Sequence, residues 1–316
     1  MHAINKDPNM TLEEFYLFRD FIHQRSGIFF ADNKMYLLRN RLAKRIQELG
    51  IGSYRDYFYH IKYDITTKEF NILMNLVTTN ETSFYRNPPQ LKSFSEEVLP
   101  LIIRGKLDSE EPKSLKIWSA GCSTGEEPYT LAILIMEFLK STVDWNIEVV
   151  ASDISEDVLA AARKGHYSEV SLRTTPAEIV QRYFTRQENK YVIKPEIKVM
   201  VRFGHLNLYD PRKLSMFADM DIIFCRNVMI YFSDEVKKQI VRGFYNALRP
   251  GGYFYIGYSE SLHGISKAFK LVYFKQALAY HKEARGGGLE AGPADKIEGA
   301  QKAMELLSQI KPATAL

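Results

Sequence analysis

Between residues 116 and 133 the chain reads KIWSAGCSTGEEPYTLAI. A short apolar run enters a turn bearing Gly121 and Gly125 and leaves it in an apolar segment of helical spacing. A strand, a glycine turn and a helix in that order form the opening unit of a doubly wound sheet. The alternation continues downstream. IEVVASD reads as a second strand with SEDVLAAARKG as its helix, and VMVRFGHLNL, MDIIFCRN and GGYFYIGYSE read as later strands. The helix DEVKKQIVRGFYNALRP separates the last two, and KLVYFKQALAYHK is expected to close the sheet as one final strand. The expected fold class is α/β, a doubly wound, mostly parallel sheet. Its strand order should reverse beside the first strand, which puts a ligand at the carboxyl ends of the strands.

Upstream the pattern is purely helical. TLEEFYLFRDFIHQRSG opens with Thr11 and Glu14 in capping-box spacing, repeats Leu12, Phe15, Phe18 and Ile22 at helical intervals, and stops at Gly27. A second helix runs from Asp32 to Gly50, and SYRDYFYHIK and TTKEFNILMNLVTT supply two more. The organisation read from the sequence is therefore a small all-helical domain over 1–80, a linker with a helix over 81–114, and the α/β domain over 115–283. The polar run GKLDSEEPKS is expected to be exposed linker. Residues 166–200 interrupt the alternation as an inserted β-subdomain in which YFTRQENKYVIK suggests a hairpin. Residues 284–316 read as a Gly-rich linker, ARGGGLEAGPAD, and a candidate helix, KIEGAQKAMELLSQIK.

The glycine turn excludes the common phosphate binders. A P-loop needs G-x-x-x-x-G-K-[ST] and a dinucleotide turn needs G-x-G-x-x-G; neither is present. A helix N-terminus attracts anions, yet Glu126 and Glu127 at this one would repel a pyrophosphate. The ligand should be nucleotide-like, free of phosphate and preferably cationic. S-adenosylmethionine, with its adenosine, ammonium and sulfonium, meets those terms. The glycines are expected to let the backbone approach it closely, with Gly121 and Glu127 at the cofactor. Asp153, ending the second strand, is expected to accept hydrogen bonds from the ribose hydroxyls, while Ser155 caps the next helix.

Other classes are disfavoured. A net charge of +4 is too small to mark a nucleic-acid binder. The two cysteines, Cys122 and Cys225, form no C-x-x-C pair and the histidines no paired spacing, so no metal is expected. No apolar window is long enough for a membrane span and no apolar signal core opens the chain, so a cytoplasmic protein without direct membrane insertion is expected.

The segments WSAGCSTGEEPYTLAI, VVASDIS, DIIFCRNVMIYF and LVTTNETSFYRNP closely resemble, in order, those of the CheR-type chemotaxis receptor methyltransferases. The resemblance runs from about residue 11 to 281. It implies transfer of a methyl group from S-adenosylmethionine to glutamate side chains of transmembrane chemoreceptors. It implies that Asn80, Thr82 and Arg86 line the cofactor site, Arg86 holding either the methionine carboxylate or the incoming glutamate. Asn207 and Leu208 would flank the adenine, Asn227 and Val228 would line the cofactor, and Tyr231 would sit beside the reacting methyl. A glutamate is already ionised at neutral pH, so an in-line displacement there needs no general base. Arg41 and Arg45, one turn apart on a helix, with Lys44 nearby, are candidates for docking the glutamate-rich receptor helices. A charge reversal at Arg41 and Arg45 is then expected to lower activity and spare cofactor affinity. Some family members tether a receptor tail peptide through a glycine-containing loop of the β-subdomain. TRQENKY is short and has no glycine, which argues against tethering here. The competing class is a non-catalytic S-adenosylmethionine-binding sensor or scaffold, against which the intact Asn80, Thr82, Arg86 and Asn227 segments speak.

Overall fold

The computed structural model describes residues 9–109, 112–140 and 144–284. The candidate tail helix lies outside them. Four helices form the N-terminal domain: α1 (Leu12–Ser26), α2 (Met35–Glu48), α3 (Tyr54–Lys62) and α4 (Lys68–Val77). The capping box closes as expected. Glu14 N donates to Thr11 Oγ1 at 3.2 Å, and Thr11 N donates to the Glu14 carboxylate at 2.8 Å. Gly27 ends α1 in the left-handed conformation, at φ 75°. Phe15, Phe18 and Ile22 pack with Leu38, Leu42, Ile46, Tyr57 and Leu73, all buried. Each such side chain contributes roughly 1.5–3 kcal/mol by leaving water.

The connecting helix is longer than the sequence suggests. α5 (Pro88–Lys92) passes through a π-turn at Ser93–Val98 into α6 (Leu99–Asp108). Pro100 lacks the N–H that an α-helix would direct at Glu96, and the chain loosens into the wider turn just before it. The run GKLD is not exposed linker but the last turn of α6. Its Lys106 is buried and pairs with Asp221 at 2.8 Å. A buried carboxylate needs a counter-charge, and this one recruits Lys106 out of an apparently solvated stretch.

The α/β domain begins with β1 (Ser114–Ala120), α7 (Glu126–Leu139), β2 (Asn146–Asp153) and α8 (Glu156–Lys164). The insertion follows: β3 (His166–Tyr167), α9 (Ala177–Tyr183), β4 (Phe184–Gln187), β5 (Lys190–Ile193) and α10 (Pro195–Lys198). Its strands form a separate antiparallel sheet in the order β3-β5-β4. The expected hairpin is β4–β5, turned by Glu188 and Asn189, with Glu188 at φ 51°. Then come β6 (Val201–His205), α11 (Pro211–Leu214), β7 (Met220–Cys225), α12 (Asp234–Ala247), β8 (Leu248–Ile256), β9 (Lys270–Tyr273) and β10 (Leu278–His281).

The main sheet has the order β6-β2-β1-β7-β8-β10-β9, so it does reverse beside β1. The first five strands are parallel, and β10 and β9 add an antiparallel edge. The expected single closing strand is thus a hairpin. Phe274 N donates to Ala277 O across its turn, and no Gly or Pro marks that turn in the sequence. Every residue of β7 is buried, as befits a strand covered on both faces.

The helical domain packs directly on the strand tips. Ile28 and Phe232 form an isolated bridge, Phe29 N donates to Tyr231 O at 2.8 Å, and Asn207 Nδ2 donates to Arg25 O at 2.7 Å. Trp118 of β1 stacks on Phe217 with ring centroids 3.9 Å apart and donates its Nε1–H to Ser152 Oγ of β2. Among the described residues no helix is long and apolar enough to cross a membrane.

Candidate active site

A cavity of about 1,260 Å³, counting its open mouth, lies at the carboxyl ends of β1, β2 and β7, under the helical domain. The turn after β1 forms its floor. Gly121 N and Cys122 N both donate to Ser152 O, which ties the turn to β2. Gly121 is at φ 80°, and a Cβ there would stand 2.4 Å from Val228 Cγ2. Gly125, at φ 93°, does not line the cavity; its missing Cβ makes room for Ala162 of α8, 2.9 Å away. The expectation that both glycines admit the ligand is therefore corrected. Both admit neighbouring protein, and only Gly121 also borders the cavity.

The two glutamates of the turn have separate jobs. Glu126 points away from the cavity and accepts from Thr124 Oγ1 at 2.6 Å. Glu127 lines the cavity, accepting from Ser119 Oγ at 2.7 Å and from Arg226 Nη1 at 3.2 Å. Arg226 follows β7, its side chain is 4% exposed, and its Nη2 donates to Arg86 O at 2.7 Å. Its Nε is buried with no hydrogen-bond partner. Burial pushes the Glu127 carboxyl up, and the guanidinium of Arg226 works against that rise. The turn is thus not a bare acidic patch. A cation distant in sequence offsets one of its charges, and the sequence reading missed it although Arg226 stood inside the quoted FCRNV.

Asp153 lies at the tip of β2. Its Oδ2 accepts from Ser123 N at 2.8 Å and its Oδ1 from Ser155 N at 3.0 Å. Each carboxylate oxygen keeps a further lone pair for hydroxyl donors. Burial raises its pKa, countered by the Ser155 and Ser123 N–H groups. Ser155 caps α8 through Val158 N, as expected.

The segment between α4 and α5 crosses the cavity as an irregular strap. Asn80, Thr82 and Arg86 all line the cavity from it. Asn80 O accepts from Ser123 Oγ at 3.2 Å, and Arg86 Nη1 donates to Glu81 O at 2.8 Å. On the far wall, Asn207 commits one amide hydrogen to Arg25 O and one lone pair to Tyr209 N, leaving one of each for a ligand. Leu208 beside it is buried. Asn227, Val228 and Tyr231 come from the loop after β7, with Asn227 in the left-handed region at φ 59°. Glu260 holds that loop in place, accepting from Asn227 N at 2.8 Å, Gly257 N at 2.5 Å and Ile230 N at 3.2 Å. No motif in the sequence signals Glu260. Thus the cofactor candidates other than Gly125 converge on one cavity.

The docking candidates lie elsewhere. Lys44 is 86% exposed, but Arg45 Nη2 and Nε bond the carboxylate of Glu69 at 2.8 and 2.9 Å, with Tyr57 OH donating to the same group. Arg41 donates to Val77 O and Thr79 Oγ1. Two of the three cations are therefore committed inside the protein.

The family model "CheR methyltransferase, SAM binding domain" matches residues 80–278, and "CheR methyltransferase, all-alpha domain" matches residues 13–78. The chain belongs to the CheR methyltransferase family. It is 36% identical over 278 residues to chemotaxis protein methyltransferase 2 of Vibrio cholerae, covering 88% of this chain and 95% of that one. It is 34% identical to chemotaxis protein methyltransferase 1 of Pseudomonas aeruginosa, covering 84% and 97%. It is 32% identical to the chemotaxis protein methyltransferase of Borreliella burgdorferi, covering 83% and 93%. S-adenosylmethionine is the cofactor of this domain, and the cavity fits it. The carboxylate of Asp153 retains acceptors for hydroxyls, and Arg226 brings an unpartnered buried donor to the wall.

Proposed function

We propose that this chain transfers a methyl group from S-adenosylmethionine to glutamate carboxylates of chemotaxis receptors, giving methyl esters. The observation that carries the reading is the single cavity in which Asn80, Thr82, Glu127, Asp153, Asn227 and Tyr231 meet beneath a helical domain. Asp153 would accept the ribose hydroxyls, Asn207 and Leu208 would bound the adenine, and the Glu127–Arg226 pair would face the amino-acid end. When bound, the cofactor supplies a methyl group activated by its sulfonium. Arg86, partly exposed at the mouth and bonded there to Glu81 O, receives the incoming carboxylate through its planar fork. No side chain needs to take a proton, since the acceptor is ionised at neutral pH. The chain's contribution is positioning, which can supply up to about 7–11 kcal/mol. Ile28, Leu206, Leu208, Val228 and Phe232 help exclude water, whose solvation would hold the two opposite charges apart. Lys44 on α2, paired only with Glu48 one turn along the same exposed face at 3.8 Å, would steer an acidic receptor helix.

The test is incubation with methyl-labelled S-adenosylmethionine and receptor-bearing membranes, followed by mild alkali. Label released as methanol supports the reading. Label that resists alkali, or no transfer to the receptor, overturns it.

A further inference from the structure

The strap over residues 78–83 has no helix or strand to hold it, yet Thr78 through Ser83 all line the cavity. Its far end is well tied. Ser123 Oγ bonds Asn80 O, Phe84 N donates to Ser171 O at 2.9 Å, Thr174 Oγ1 donates to Phe84 O, and Tyr85 N donates to Thr130 Oγ1. Its near end depends on the helical domain. Val77 is the last residue of α4, so its carbonyl is among those a helix leaves without an internal partner. Arg41 reaches across from α2, 36 residues away in sequence, and donates to that carbonyl through Nη1 while Nη2 donates to Thr79 Oγ1 at 2.7 Å. A positive group at a helix C-terminus is also favoured by the helix dipole. Two donors of one rigid plane on two points of the chain fix the direction in which it leaves α4. The next residue along, Asn80, turns its amide back to Thr78 Oγ1 at 3.3 Å.

We infer that Arg41 is a positioning residue of the cofactor site: its guanidinium, spanning Val77 O and Thr79 Oγ1, holds the strap that carries Asn80 and Thr82 into the cavity. The inference rests on the reading of that cavity as the S-adenosylmethionine site. It replaces the expectation that Arg41 is a docking cation whose loss spares cofactor affinity. It also means that α2, which presents Lys44 outward, and the strap under the cofactor share a direct link.

The test compares the full chain with Arg41→Ala, Arg41→Lys and Thr79→Val. S-adenosylhomocysteine affinity is measured by calorimetry, the melting temperature by scanning calorimetry, and KM for cofactor and for receptor separately. Arg41→Ala is expected to weaken S-adenosylhomocysteine binding about tenfold, the scale of one lost charge-assisted hydrogen bond. KM for the cofactor should rise with it, and KM for the receptor should not. Arg41→Lys, which keeps the charge and one contact, should recover part of the affinity. Thr79→Val leaves the guanidinium in place, removes its acceptor on the strap, and should weaken binding in the same direction even if Arg41→Ala fails to fold. Unchanged S-adenosylhomocysteine affinity in Thr79→Val and in any folded Arg41 variant overturns the inference, as does a rise confined to KM for the receptor. Because the binding readout involves no methyl acceptor, wild-type protein that binds S-adenosylhomocysteine but methylates no receptor overturns only the proposed function.

Discussion

The pair Glu127–Arg226 is the most exacting point of the site, and its removal has calculable consequences. Glu127→Gln keeps the size and removes the charge. The guanidinium of Arg226, whose side chain is 4% exposed, then loses the carboxylate 3.2 Å from it. Stripping one partner from a buried pair costs about 3–5 kcal/mol, because the other charge stays behind uncompensated. The glutamine oxygen still accepts a hydrogen bond, which places the loss near the lower end, about 3 kcal/mol. At about 2–4 °C per kcal/mol for a domain of this size, the melting temperature should fall by roughly 6–12 °C. Arg226→Met should cost less, because burial already pushes the Glu127 carboxyl up and without Arg226 it can take a proton. The sign follows. A carboxyl whose folded pKa is raised binds more protons folded than unfolded, so the stability of Arg226→Met should fall as pH rises from the usual 4.5 through the raised folded value. Denaturant melts of both single variants and the double variant complete the cycle. The double variant should lose less than the sum by at least about 1 kcal/mol. Losses that add within about 0.5 kcal/mol would refute the coupling.

Three further outcomes are expected. Gly121→Ala adds a methyl 2.4 Å from Val228 Cγ2 at a φ of 80°, which costs about 1–2 kcal/mol in backbone strain alone; calorimetry should show S-adenosylhomocysteine affinity down by about tenfold or more, and wild-type affinity would contradict the close packing. Glu69 is held below the usual carboxyl range chiefly by its hydrogen bonds from Arg45, so its contribution is present above pH 4.5 and is lost as pH falls through its lower folded pKa. Glu69→Gln should therefore be less stable than wild type by about 1.5–3 kcal/mol at neutral pH, the scale of a hydrogen bond to a charged group, with the gap closing in acid; a gap independent of pH in thermal melts would count against the ion pair. Glu260→Ala frees two backbone N–H groups of the loop bearing Asn227 and Val228, and that of Gly257 after β8, and should weaken cofactor binding while circular dichroism stays native; unaltered affinity would remove Glu260 from the site.

Much of this architecture was legible because it is written in local patterns. The Thr11–Glu14 box, the Gly27 stop, the strand–turn–helix at Gly121 and the cap at Ser155 each depend on residues within a few positions of one another. The reversal of strand order beside β1 followed from the alternation alone. What was not legible depends on distant partners. Lys106, on α6, looked like linker because its partner Asp221 lies far along the chain on β7. Arg45 looked like a free docking cation because Glu69 and Tyr57 come from other helices. Gly125 looked like a ligand contact because the sequence cannot say that Ala162 fills the space. The closing hairpin was read as one strand because its turn, at Phe274–Ala277, uses none of the usual turn residues.

The central claim is that the crevice at the strand tips holds a phosphate-free, positively charged methyl donor. Calorimetric titration of the full chain with S-adenosylmethionine and S-adenosylhomocysteine, set beside ADP and NAD, tests it most directly. One site per chain for the first two and no heat from the phosphorylated nucleotides is the expected result. Saturation by ADP or NAD, displaced by neither sulfur compound, would contradict it.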